Sequence, residues 1–143
     1  MQNNYFYKWI DSNKDDEINS FKECIDSYIH FKKDAFYKTN KLIKKKPEFN
    51  APKLLKIVLL LFSRDLQKIS LARETLKSIS TDKVNDYFHQ YLEIVNLWIK
   101  NDLKNLLNKL ELIIKDNPKD IFAIRLFHFN NIFLLSLIHI SEP

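Results

Sequence analysis

The sequence predicts an all-α fold, a stack of antiparallel helix hairpins with about seven helices, and two observations carry that prediction. The first is that the 143-residue chain has no glycine and only 4 prolines. Strands, tight turns and phosphate-cradling loops draw on glycine for positive φ. A chain without it favours helices joined by turns of Asn, Asp, Ser and Lys, and it excludes every glycine-rich nucleotide fingerprint. The second is an internal repeat. The stretch 45–49 (KKPEF) precedes the apolar run Leu54 to Phe62, and 116–120 (DNPKD) precedes Ile121 to Phe133. Pro47 and Pro118 lie 71 positions apart (118 − 47). At that offset Phe36 aligns with Leu107, Leu42 with Ile113, Ile43 with Ile114, Leu55 with Leu126 and Phe62 with Phe133.

Each element has its own signal. Residues 1–18 form a polar segment with an aromatic patch at Tyr5, Phe6, Tyr7 and Trp9. Asn19 or Ser20 is the expected cap of the first helix, with Glu23 completing a capping box. Phe21, Cys24, Ile25, Tyr28 and Ile29 then make one helical stripe. After a turn at 32–34, Phe36, Leu42 and Ile43 make a second. It closes at Lys44–Lys46, where lysines complement the helix dipole, and Pro47 stops it. Pro52 suits the first turn of a third helix. Leu54 to Phe62 is apolar on nearly every side, as in a helix buried between neighbours. Ser63–Asp65 turns the chain, and Leu66, Ile69, Leu76 and Ile79 line the return helix. Tyr87, Phe88, Tyr91, Leu92, Val95, Trp98 and Ile99 recur at helical spacing. Their partner face is Leu103, Leu106, Leu107, Leu110, Ile113 and Ile114. Pro118 stops that helix, and Ile121 to Phe133 begins a further one. The 71-residue offset is about twice the period of roughly 34 residues of tetratricopeptide (TPR) helix pairs, so the stack reads as a TPR-like α-solenoid.

Composition narrows the function classes. At 45% hydrophobic and 29% charged residues the chain has the balance of a soluble globular domain. The net charge of +5 raises the possibility of nucleic acid as partner, but the only arginines are Arg64, Arg73 and Arg125. Bidentate reading of bases and phosphates favours arginine over lysine, so no nucleic-acid partner is expected. Cys24 is the sole cysteine, which excludes an intramolecular disulfide and a Cys-rich zinc site and suits a reducing, cytoplasmic setting. The N-terminus lacks the pattern of a signal peptide. The longest apolar stretches, about nine residues each, are too short to span a bilayer, so no membrane is expected.

Further resemblance lies in two blocks. Lys45–Phe62 (KKPEFNAPKLLKIVLLLF) and Trp98–Leu103 (WIKNDL) with Glu111–His128 (ELIIKDNPKDIFAIRLFH) are similar to motifs of the tetratricopeptide repeat protein 38 family, from about Asp11 to Phe133. Asn101 stands where that family's glycine is usual, Leu106 where alanine is usual, and Tyr91 where a histidine is expected. The resemblance implies a right-handed superhelical stack and no chemistry, hence no catalytic residues and no cofactor. The last eight residues, SLIHISEP, resemble translated sequencing-adapter read-through. The expected organisation is therefore an N-terminal segment 1–18, a repeat domain 19–135 and a non-native tail 136–143.

Other constellations read as structural. Residues 11–18 mimic the start of a calcium loop, but Asp16 stands where glycine is needed and Lys22 where a bidentate glutamate closes the loop. None of His30, His89, His128 and His139 has zinc-motif spacing, so no metal is expected; His89 and Glu93 form an i, i+4 pair suited to a hydrogen bond. Cys24 reads as a buried thiol. In helix stacks the first helix of each pair lines the concave face. This makes Asn85, His89, Asn96 and Lys100 on one helix, and Arg125 and His128 on another, candidates for a groove that holds a peptide backbone or its carboxylate. The expected function is a non-enzymatic protein–protein interaction scaffold with a protein or peptide partner. The alternatives are a helical accessory part of a larger enzyme and a self-association module, a homo-oligomer formed through the exposed last helix.

Overall fold

The computed structural model describes residues 7–141, which hold seven α-helices and, among the described residues, no strand. The helices are α1 (Asp15–Ile29), α2 (Ala35–Lys45), α3 (Ala51–Leu61), α4 (Leu66–Lys77), α5 (Asp86–Ile99), α6 (Leu103–Asp116) and α7 (Ile121–Ser141), with a short 3-10 turn at Thr81–Lys83 between α4 and α5. Each successive pair from α1 to α4 packs together, as do α5 with α6 and α6 with α7. Contacts of α3 with both α1 and α5 tie the pairs to one another.

A related turn follows α1, α3 and α5, with its Schellman bonding complete after α1 and α5 and replaced after α3 by an Asp65 N–H bond to the Ser63 hydroxyl. Its marker is a residue in the left-handed region: Phe31 (φ 57°), Arg64 (φ 57°) and Asn101 (φ 62°). They are spaced by 33 (64 − 31) and 37 (101 − 64) positions. Behind Phe31, Lys32 N–H donates to Ser27 O and Phe31 N–H to Tyr28 O; behind Asn101, Asp102 N–H donates to Leu97 O and Asn101 N–H to Trp98 O. These are the paired bonds of a Schellman motif, which satisfies the last carbonyls of a helix and ordinarily uses glycine. A glycine-free chain meets the need with Asn101, whose side chain tolerates left-handed φ, and with two residues that carry a Cβ cost of about 1–2 kcal/mol each. Asn101→Ala is expected to cost about 1 kcal/mol in urea unfolding, and Asn101→Gly to be neutral or slightly stabilising; equal stability of the two variants would count against a left-handed Asn101.

The sequence offset of 71 reappears in backbone geometry. At the end of α2, Lys46 N–H donates to Leu42 O at 2.8 Å and Phe49 N–H to Lys46 O at 3.1 Å; at the end of α6, Asn117 N–H donates to Ile113 O at 2.8 Å and Asp120 N–H to Asn117 O at 3.0 Å. The C-cap dihedrals agree, at φ −131°, ψ 73° for Lys46 and φ −139°, ψ 79° for Asn117. Position by position, α3 therefore corresponds to the first half of α7. Ala51 and Leu55 of α3 are fully buried, as are Phe122 and Leu126 of α7.

Four expectations need correction. First, α1 begins at Asp15, ahead of Ser20, and Lys14 provides no side-chain cap. Asp15, Asp16 and Glu17 form its first turn, where negative charge complements the helix dipole, so the capping box at Ser20 and Glu23 does not form. Second, the polar segment ahead of α1 contributes to the core: Tyr7, Trp9 and Ile10 are buried, while Tyr5 and Phe6 lie outside the described residues. Asp11 locks this segment down, its two carboxylate oxygens accepting from Asn50 N–H and Ala51 N–H at 2.8 Å each. The carboxylate thus caps α3 from across the chain, satisfying N–H groups that a helix start leaves unpaired. Third, the face expected on the return helix is only partly inward: Ile69 and Leu76 pack against the core and Ile79 is buried, as expected, but Leu66 is 82% exposed. Fourth, the apolar stretch at the C-terminus exceeds nine residues. Ile121–Ile138 has a mean hydropathy of 1.7 and is long and apolar enough to cross a membrane by length and composition; 22% of it is buried.

Candidate functional site

The inner space among α1, α5 and α7, where an open groove is expected, is filled by the chain itself. Trp9 is 1% exposed. Its ring lies 5.5 Å from Phe21 of α1, 5.3 Å from Tyr91 and 6.4 Å from Phe88 of α5, and 5.0 Å from Phe122 of α7. Asn85 holds this plug in place: its Nδ2 donates to Lys8 O at 2.9 Å, while its Oδ1 accepts from Phe88 N–H and caps α5. Beneath the plug lies a buried polar pair. The Tyr91 hydroxyl donates to Asp120 at 2.6 Å, and the other Asp120 oxygen accepts from Ala123 N–H at 3.1 Å, capping α7. Burial raises Asp120 to about 6, against the pull of its hydrogen bonds from Tyr91 and from the Ala123 and Phe122 N–H groups. Burial, helped by the charges of Asp120 and Asp26, pushes Tyr7 up to about 12. These groups lie inside the core.

An open cavity lies beside the plug. A pocket of about 460 Å³ sits between the α1–α2 turn, the end of α3 and the middle of α7. Its walls are apolar: Tyr28 and Phe31 on one side, Leu59 and Phe62 below, and Phe129 opposite. The Tyr28 and Phe62 rings stack at 5.7 Å, and Phe129 meets Phe62 edge-on at 4.5 Å. Lys32, Arg125 and His128 complete the lining. The Arg125 guanidinium lies 4.7 Å from the centre of the Phe31 ring, a cation–π arrangement. Phe31 is 81% exposed and sits at the left-handed turn position, so an apolar side chain is held toward solvent by strained backbone. Burial raises the Tyr28 hydroxyl, Arg125 acting in the opposite sense, so the phenol stays neutral at the pocket wall.

The six groove candidates therefore separate. Arg125 and His128 come together in the pocket. Asn85 and Lys100 cap the two ends of α5 and His89 and Asn96 lie along it; all four are exposed, and none of them lines the pocket. Asn96 donates to Leu92 O of its own helix. Glu93 pairs with Lys109 of α6, not with His89. Cys24 is 2% exposed, and burial raises its thiol. Among the described residues, no group of three His, Cys, Asp or Glu side chains lies close enough to hold a metal ion. Sequence reasoning missed Phe31, Lys32 and Phe129. The signal for Phe31 was available, since it precedes a Lys-Lys-Asp turn at the position matched by Arg64 and Asn101. No protein-family model, curated protein or solved structure matches the chain.

Proposed function

We propose that the chain is a TPR-like, right-handed α-solenoid that serves as a non-enzymatic protein–protein interaction scaffold in the cytoplasm. The carrying observation is the pocket itself: aromatic walls, a cationic rim and no carboxylate or thiol among its lining residues. An enzyme site brings titratable groups together with shifted proton affinities in an accessible cleft. Here the strongly shifted acid, Asp120, is 2% exposed and heads a helix. Left-handed residues at Phe31, Arg64 and Asn101, two of them in Schellman turns, and the doubled turn at Lys46 and Asn117 support the repeat reading.

A second reading, self-association, draws on α7, where Ile132 is 63% exposed, Leu135 56% and Ile138 48%. Exposed apolar side chains along one helix invite another surface. A photo-crosslinking amino acid at Phe31, at His89 or at Ile132, introduced in cells, separates the two. The scaffold reading expects a discrete adduct with a different protein from position 31 and none from 89. Adducts between two copies of the chain, formed from 132 and absent from 31, would favour self-association and count against the scaffold.

A further inference from the structure

The geometry points to an acidic peptide with a bulky apolar anchor as the partner of this pocket, an assignment that rests on the scaffold reading and sharpens it. A second pocket, of about 280 Å³, adjoins the first and shares Lys32, Ala35 and Leu59 with it. Together they form a groove that crosses α3 at Leu59, from Arg125 and His128 on α7 to Lys33 and Lys68 on the far side. No Asp or Glu lines either pocket. Among the described residues, Lys32, Lys33, Lys68 and Arg125 make no ion pair, although several other lysines of the chain do. Four cations thus border an apolar floor with no carboxylate in its lining.

Such a groove fits an extended segment whose aromatic or aliphatic side chains enter the larger pocket while its carboxylates meet the rim. A pocket of about 460 Å³ exceeds the volume of one side chain, so two neighbouring apolar residues suit it. The planar fork of Arg125, stacked on Phe31, can grip a carboxylate through its edge while its face stays on the ring. Opposite charge at the rim steers the encounter, and the buried anchor holds the complex.

The test uses purified full chain as bait for a phage-displayed library of random dodecapeptides, followed by fluorescence polarisation of the enriched peptide. Expected are sequences with Phe, Trp or Leu flanked by Asp or Glu. Binding should weaken about tenfold in each of Phe31→Ala and Lys32→Glu and fall with added salt. Both substitutions are at exposed positions, and circular dichroism confirms that the variants fold. Enrichment of basic or uncharged peptides, no enrichment, unchanged binding in both variants, or a preference for phosphatidylserine vesicles over the peptides would each overturn the assignment. If the position-31 adduct in cells persists while the acidic preference fails, the scaffold reading stands and only the partner chemistry falls.

Discussion

Trp9→Ala is expected to remove about 3–5 kcal/mol of stability, because it empties the space where four helical neighbours' rings meet. The indole is 1% exposed and is ringed by Phe21, Phe88, Tyr91 and Phe122 at 5.0–6.4 Å between centroids. Those rings sit on α1, α5 and α7, so no small shift of one helix can refill the void. The cavity and the lost ring–ring contacts both count. A domain of this size is stable by roughly 5–15 kcal/mol, which makes the loss a large fraction of the whole. A fall of roughly 10–20 °C in Tm follows. Trp9→Phe separates volume from polarity: the Trp9 Nε1 group is buried with no hydrogen-bond partner, so phenylalanine keeps most of the packing and sheds an unsatisfied donor. It should cost well under half of what alanine costs. Urea unfolding of the two variants checks this, and a loss below about 1 kcal/mol for Trp9→Ala would mean that the N-terminal segment does not plug the core.

The role of Trp9 also shows where sequence reading reaches its limit. Helix positions were legible because the periodicity of Phe21–Ile29, Phe88–Trp98 and Leu103–Ile114 states which face is buried, and Pro47 and Pro118 punctuate the chain. The equivalence of α2 with α6 was legible for the same reason, and it reaches the level of single hydrogen bonds at Lys46 and Asn117. Trp9 carries no such signal. It lies in an irregular segment without a period, and its burial depends on helices about eighty and more residues downstream. Asp11 is similar: nothing local tells that its carboxylate caps α3 rather than starting a calcium-like loop. The site was half legible. Arg125 and His128 are three positions apart on one helix face, so any groove that takes one takes the other. The α5 candidates stand apart from that pocket, because first-helix membership alone does not fix which face looks inward; α5 turns Phe88, Tyr91 and Trp98 toward the core and leaves His89 and Asn96 exposed.

Asp120→Asn is expected to leave the protein at least as stable as the wild type at neutral pH and to erase a pH dependence that the wild type carries. Burial raises the Asp120 carboxyl from its ordinary value of 3.8 to about 6. Between those limits the folded chain binds a proton that the unfolded chain does not. Stability from this group is therefore greatest below about pH 4, declines as pH rises toward about 6, and is flat above that. A rise of that size is worth roughly 3 kcal/mol across the window. Asparagine is a comparably good helix cap: its Oδ1 can accept from Ala123 N–H while its Nδ2 donates to the Tyr91 hydroxyl oxygen, without burying a charge. The quantity to measure is the difference in urea-unfolding free energy between variant and wild type, at about pH 4.5 and about pH 7. The difference should move in favour of the variant by roughly 2–3 kcal/mol as pH rises. Tyr91→Phe should act in the other sense, since it removes a hydrogen bond that favours the charged form and so moves the window to higher pH. Parallel pH profiles for wild type and Asp120→Asn would rule out a buried, proton-hungry Asp120. Because this residue caps the helix that carries Arg125 and His128, its protonation bears on how firmly the pocket's far wall is held.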